Sequence, residues 1–524
     1  MKGIGRFRPT VAGLGVATSL LTGCSLLYNP DSLSPHPDMP ADATDAPPPP
    51  DVLDPNALML TVAGPPDLYE GQGTGGSPQA FLVLVGSNIS KQAEITLVAT
   101  AAGETVPQYT LDLAHLAHAA DNSAIAVPIT LPVDPAAANT DVKVTVHVKQ
   151  AGKLGDIDAD LAGQITLHSL LELDDAHAAV PASTSPLRYS QVVLTQPLVV
   201  SPVLNGQPTI IHSMSNIELG DVTASGNLQT PGRGGGAGGA TGAAGTGPAA
   251  GTGGALLVAG TGGGFGTGGA GATNVAGDPL ITSYASNKSS GGGGGGGAAG
   301  GGGGGTIELH AEGLLKVGKV TANGGLGGAA APALTAGGGG GGSGGAIVLR
   351  AGMTATLGAL SVAGGAGGAG SGLLAQTGTA GGTGRIRIDA PALAGTMPAF
   401  SDLVRRGVAF DPATPLITRD KRVTLTLNSA KASESYIVTV FKTKDVSLQS
   451  GAVLFTTSSQ AVPLDLFDGY NKICVALASL PPAFDDPGAD CVELAYVRFE
   501  EASGAVTRGR LVSAAPASPA RRLR

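Results

Sequence analysis

The stretch GGGSGGAIVLRA, Gly340 to Ala351, sets a run of residues with almost no side chain directly before a short apolar-alternating segment. The juxtaposition recurs. TIELHAEGLLKVGKVTANGG begins at Thr306, AIVLRAGMTATLGALSVAGG at Ala346 and RIRIDAPALAG at Arg385, a period of forty and then thirty-nine residues. The shared unit is Ile-x-aliphatic-x-Ala, then aliphatic-Gly-x-aliphatic, then Gly-Gly. Ile307, Ile347 and Ile386 correspond, as do Leu309, Leu349 and Ile388, and Gly318 matches Gly358. TIIHSMSNIELGDVTASG at 209–226 is an earlier, degenerate copy. A period of about 40 with two short strands per unit predicts a solenoid. Each turn would stack its Ile and Leu inward on the same residues of the next, giving a short parallel β-helix over 186–400 with glycine-rich loops between strands.

Residues 231–384 hold 60 of the 85 glycines, so the state of those loops matters. Poly-glycine by itself suggests disorder. The few aliphatics buried per turn do not offset the backbone entropy of a forty-residue unit. The runs must therefore either bond to one another as packed polyglycine strands or stay mobile. Partial order is expected, loosest at 231–305.

On both sides the pattern changes to period two. LMLTV at 58–62, AFLVLV at 80–85, EITLVA at 94–99 and VKVTVHVK at 142–149 lie between turn signals, and so do RVTLTLN at 422–428, SYIVTVF at 435–441, KICVALA at 472–478 and CVELAYV at 491–497. Short alternating strands with Gly/Pro punctuation predict antiparallel β-sandwiches over 57–180 and 415–505. Helical periodicity is nearly absent outside LDLAHLAHAA at 111–120, so the fold class is all-β. LVLVGSNIS at 82–90 resembles the Gly-x-Asn turn of TIG-type immunoglobulin-like domains. PLDLFDGYNKICVAL at 463–477 resembles the late strands of bacterial immunoglobulin-like domains. The resemblance implies spacers or binding modules. The repeat itself is similar to glycine-rich repeats of bacterial surface proteins over about 205–395, which implies exposure at the cell surface and no particular chemistry.

The first 23 residues read as a secretory signal peptide. Lys2, Arg6 and Arg8 precede the apolar run Val11–Leu21, which is too short to span a membrane as a helix. LTGC at 21–24 resembles the lipobox of bacterial lipoproteins, which implies cleavage before Cys24 and lipid on its thiol. Ser25 follows, without the aspartate that retains enterobacterial lipoproteins at the inner membrane, so an outer-membrane destination is expected. Residues 24–56 are rich in Pro and Asp and lack the apolar content to fold. As an extended tether, residues 29–56 would reach on the order of 80–90 Å. Loss of the three basic residues with 1–23 moves the net charge from −9 to −12, which argues against a nucleic-acid partner. The remaining cysteines, Cys474 and Cys491, are expected to pair in an oxidising compartment. Residues 506–524 end in the basic ARRLR and are expected to be disordered.

No motif specifies a reaction or cofactor. GGSGG at 341–345 fits G-x-S-x-G, but glycine precedes Ser343 and a strand follows, whereas a nucleophile elbow needs a strand before and a helix after. GDIDADLAG at 155–163 begins like a calcium loop with Asp156, Asp158 and Asp160, yet Leu161 stands where the loop needs glycine and Leu167 where it needs glutamate. An acidic turn is the expectation, with calcium as the alternative. His115 and His118 lie three apart with no third ligand. If the turns stack in register, His310, Arg350 and Asp389 share one outward column and Glu308, Val348 and Arg387 another. Parallel β-helix enzymes that cleave polysaccharides carry carboxylates and a basic residue on such a face; the alternative is a solvated ladder of opposite charges. Phe265 and Tyr284 are the only aromatics in 231–384, which weighs against sugar stacking there. The expected function is therefore a non-enzymatic envelope lipoprotein, structural or adhesive, held to the outer membrane through Cys24 and facing the cell surface or the periplasm. Its partners would be an envelope or extracellular polysaccharide or protein. A carbohydrate-active β-helix and a calcium-stabilised binding module are the alternatives.

Overall fold

The computed structural model describes residues 57–74, 80–135, 139–152, 155–180, 187–200, 208–269, 292, 294–411, 417–428, 435–457, 459–478, 482–484, 490–497 and 522–523. Cys24, the 24–56 tether and nearly all of 506–524 lie outside them. The described chain is all-β. Its 111–120 segment holds two short strands and one 3-10 turn, Leu113–His115. No helix of the described residues is long and apolar enough to cross a membrane.

In the repeat region the chain passes through three parallel sheets in turn, and each passage lies on the one before it. The first sheet stacks Leu187–Tyr189, Thr209–Ser213, Thr306–Ala311, Ala346–Ala351, Arg385–Asp389 and Val404–Arg406. The second runs from Val192–Leu194 to Ala392–Gly395, and the third from Leu198–Val199 to Leu360–Ser361. The register is the one the alignment requires. Ile307 pairs with Ile347 and Ile347 with Ile386, while Leu309 pairs with Leu349 and Leu349 with Ile388. These side chains share one buried core with Leu315, Val317, Val320, Ala355 and Leu357. Each of the first four turns has three strands rather than two. The third is two residues long, as in Val320–Thr321, too short for periodicity to reveal it.

The described glycines bond to one another. Gly345 N–H donates to Ala322 O (2.7 Å), Gly342 N–H to Gly325 O (3.0 Å) and Gly339 N–H to Gly328 O (2.9 Å). Gly325 and Gly342 also take part in bonds to other turns, Gly325 N–H to Gly302 O (2.7 Å) and Gly365 N–H to Gly342 O (2.8 Å). Outgoing chains bond to the outgoing chain of the next turn, as Gly324 does to Ala363 (2.9 Å), and return chains to return chains, as Gly344 does to Gly382 (2.8 Å). Bonded positions fall three residues apart, the period of a polyproline II helix. The insert joins the same array through Gly239 to Gly292, Gly254 to Gly294 and Gly260 to Gly338 (each 2.9 Å). A Cβ added at Gly345 would come inside 3.0 Å of the backbone oxygen of Gly305, and one at Gly342 inside 3.0 Å of Gly302 O. The composition is therefore a packing requirement: only hydrogen fits between these backbones.

Two further bodies flank the repeat in sequence. In the first, the sheet containing Met59–Gly64, Ala80–Ser87 and Ala124–Thr130 faces the sheet containing Asp67–Tyr69, Gly155–Ser169, Thr140–Gly152 and Glu94–Ala99. Leu82, Leu84, Ile125 and Val127 from one meet Val142, Val144, Val146 and Ile165 from the other. In the second, a three-stranded sheet through Arg422–Asn428 encloses a core with a larger one built on Ser435–Thr443, Gly469–Leu477 and Asp490–Tyr496. Cys474 and Cys491 are directly opposed on neighbouring strands and joined by a disulfide. The outer faces of the two bodies meet through Phe81, Val83, Tyr470 and Ala495.

Gly345→Ala should lower the thermal midpoint of the protein, because a backbone neighbour cannot turn aside as a side chain can; overpacking of this kind costs about 1–3 kcal/mol or more. Gly451, with nothing within 4 Å of an added Cβ, supplies the control, and Gly451→Ala should change stability by less than about 0.5 kcal/mol. Calorimetry of the two variants compares them directly.

Candidate functional site

The first sheet of the repeat carries a column of charged and polar side chains on the face away from its aliphatic core. Strand pairing runs it from Arg188 to His212, His310, Arg350 and Asp389. Glu308, Val348 and Arg387 form the neighbouring column, as the repeat alignment places them. The expectation of a solvated ladder does not hold. Asp389 and His310 are 0% exposed, and Glu308, Arg350 and Arg387 are also buried.

Buried charge requires partners, and the ladder supplies them within itself. His310 Nε2 meets Glu308 Oε1. Arg350 Nε lies 3.3 Å from Glu308 Oε1 and 3.4 Å from Asp389 Oδ2. Arg387 makes two contacts to Asp389, each at 2.8 Å. His212 bonds Glu312 at 2.9 Å and sets its ring edge-on to His310, 5.7 Å away. Burial pushes the Arg387 pKa down, but the charge and hydrogen bond of Asp389, with Glu308 and Tyr436 adding to them, raise it above its ordinary value. Tyr436 belongs to the second flanking body, so that body closes over this end of the ladder. Gly407 permits the close approach, since a Cβ there would strike Asp389 and Arg387. At the other end Gly71 of the first body, in the left-handed region at φ +92, presses against the Ser190 carbonyl. The arrangement clamps three bodies together.

The other sequence candidates fall apart from one another. Asp156, Asp158 and Asp160 lie on the strand Gly155–Ser169, not in a turn. Their spacing of two is strand alternation, which puts all three on one face and Ile157, Ala159 and Leu161 against the core. Asp156 pairs with Lys149 (2.9 Å) and Asp160 with His147 (2.7 Å). Among the described residues no group of three or more His, Cys, Asp or Glu could hold a metal ion. His115 bonds Asp112 (2.6 Å) and His118 the carbonyl of Ile89 (2.7 Å). Ser343 is buried inside the glycine array, three residues before the strand Ala346–Ala351.

One cavity, about 770 Å³, opens where the first body meets the first turn of the repeat. Three adjacent strands build one wall. His168, on the middle strand, reaches Asp67 on one side (2.9 Å) and Asp141 on the other (2.7 Å). Its cross-strand partner Tyr69 stacks on it, centroids 4.4 Å apart and 14° from parallel. The guanidinium of Arg188 lies over Tyr69, 5.3 Å from the ring centroid, an arrangement worth about 0.5–1 kcal/mol at an exposed site. Leu170, Leu171, Leu187 and Tyr189 line the apolar part, and burial raises the Tyr189 pKa. Burial pushes the His168 pKa down, but its bonds to Asp67 and Asp141 outweigh this and hold it above the ordinary 6.5. Sequence reading missed this site. Tyr69, His168 and Arg188 are far apart in the chain, and the first turn, LRYS at 187–190, lacks the Ile-x-aliphatic-x-Ala signature.

Asp389→Asn should leave Arg350 and Arg387 short of counter-charge and destabilise the protein by about 3–5 kcal/mol, measured by chemical unfolding; Glu308→Met with Arg350→Met together should cost less than either alone. His168 sets a pH dependence. Its folded pKa is raised, so its stabilisation is fully present below the unfolded value near 6.5 and is lost as pH rises through the folded value. Thermal midpoints taken from about pH 5.5 to about pH 8.5 should show that loss in the native protein and not in His168→Gln. Compared with known protein families, curated proteins and solved structures, the chain matches none.

Proposed function

We propose that this chain is a non-enzymatic lipoprotein of the bacterial cell envelope. Residues 1–23 are removed, Cys24 carries lipid, and 24–56 tether the body to the outer membrane. The repeat is a short parallel β-helix, and the flanking bodies are immunoglobulin-like modules that brace it. The role is structural or adhesive, performed at the cell surface.

The observation that carries the adhesive reading lies at the tips of the glycine array. Gly337 N–H bonds Leu256 O, Gln376 N–H bonds Leu257 O, and Ala336 and Ser371 bond each other. The turns around 255–258, 331–336 and 371–376 therefore stand side by side. They present Leu256 at 80% exposure and Leu374 at 77%, with Leu373 fully open and Val258 and Leu334 half or more exposed. No Asp, Glu, Lys or Arg occurs between Arg233 and Asp278, between Lys319 and Arg350, or between Arg350 and Arg385. Grouped, uncharged and exposed apolar side chains mark interaction surfaces. The ladder supports the same reading, since its carboxylates and guanidinia are sealed between bodies and spent on one another.

Cells displaying the triple variant Leu256→Ser, Leu373→Ser, Leu374→Ser should lose adherence while keeping the amount of protein at the surface, scored by antibody labelling and protease shaving. Cys24→Ser should release the protein from the membrane fraction. Undiminished adherence of the triple variant would refute the adhesive reading.

A further inference from the structure

We propose that the cavity between the first body and the first turn binds an acidic sugar residue, with Arg188 receiving its carboxylate. This rests on the envelope-surface reading and adds a polysaccharide-binding site separate from the apolar tips. At about 770 Å³ the cavity is within the size range of small-ligand pockets. Arg188 is exposed on its wall, and its guanidinium is held by the Tyr69 ring rather than by a carboxylate. Among the described residues it has no ion pair, although it heads the same column as the sealed ladder. The carboxylates nearby are already engaged, Asp141 with His168, Glu172 with Gln191 and Asp174 with His177. One planar cation is thus left to take one anion, and the fork of a guanidinium matches a carboxylate.

The rest of the wall narrows the ligand. Asp141 and Glu172 can accept further hydrogen bonds from hydroxyl groups, because a carboxylate has about four acceptor positions. They also repel a ligand with dense negative charge, as does the chain's net charge of −9. Leu170, Leu171 and Tyr189 offer an apolar surface to the C–H face of a ring. A ligand with one carboxylate, several hydroxyls and an apolar face is a uronic acid residue of a polysaccharide. The carbohydrate alternative raised by the sequence therefore moves from the sealed ladder to this open cavity, and from cleavage to binding.

Calorimetric titration of the full chain with galacturonate and glucuronate oligosaccharides, and with neutral oligosaccharides of the same length, tests this. At least one acidic series should bind, the neutral ones more weakly, and Arg188→Gln should weaken acidic binding by about tenfold to a hundredfold, the range for losing a charge-assisted contact. Arg188→Lys should restore part of it. Arg188 is exposed, so both variants should fold, with thermal midpoints lowered by no more than a few degrees through the altered contact with Tyr69. Lack of binding to either acidic series, equal affinity for neutral sugars, an unchanged Arg188→Gln, or a preference for a peptide carboxylate would each overturn the proposal. Adherence retained in Arg188→Gln with uronate binding lost leaves both ideas standing; adherence absent from native cells with uronate binding intact removes the adhesive reading alone.

Discussion

The contact on which everything else depends is backbone against backbone, with only hydrogen between. At Gly339, Gly342 and Gly345 the neighbouring carbonyl occupies the space a Cβ would need. Glycine is entropically expensive to order, so a glycine run orders only when its amides are satisfied by partners as near and as regular as these. The three-residue repeat of the bonds allows each extended chain to bond in several directions, where a strand in a sheet bonds in two. The array also fixes the aliphatic core. Gly305, Gly345 and Gly384 each stand one residue before a strand of the first sheet, and Gly345 and Gly384 are bonded to the end of their own outgoing chains through Ala322 and Val362. Register set in the glycine array is passed directly to Ile307, Ile347 and Ile386.

The charged ladder is a consequence of that register. Strands that stack residue on residue also stack their outward side chains, and whatever stands at that position is repeated through the sheet. Here the flanking bodies cover the column, and the cost of dehydrating its charges is offset only because Glu308, Arg350, Asp389 and Arg387 are spaced to meet one another. Such a network adds little net stability but penalises any docking that leaves a member unpaired. It specifies how the bodies sit on the repeat. Arg188, at the column's head, escapes the cover and faces the cavity.

The strength of the sequence signal tracked the length of the pattern. The stacking of Ile307, Ile347 and Ile386, the columns His310–Arg350–Asp389 and Glu308–Val348–Arg387, and the opposition of Cys474 to Cys491 were all legible, because each rests on period-two alternation over five or more residues. The third strand of the first four turns was not, at two residues. Burial of the ladder was invisible for another reason: it depends on bodies more than a hundred residues distant in places, and alternation reports which face a side chain takes but not what covers that face. The acidic run at 156–160 was misread as a turn, since alternating aspartates satisfy a calcium-loop spacing and a strand equally. The Tyr69–His168–Arg188 stack is assembled from three separate segments and left no local trace.

Hydrogen–deuterium exchange across Gly337–Gly345, set beside the strand Ala346–Ala351, tests the central claim most directly. If the glycines form one bonded array with the sheets, their amides should be protected to the same degree as that strand and should open with it. Exchange of the glycine amides at the rate of an unstructured chain, with the strand still protected, would mean that the array does not hold the register and that the account of the fold is wrong.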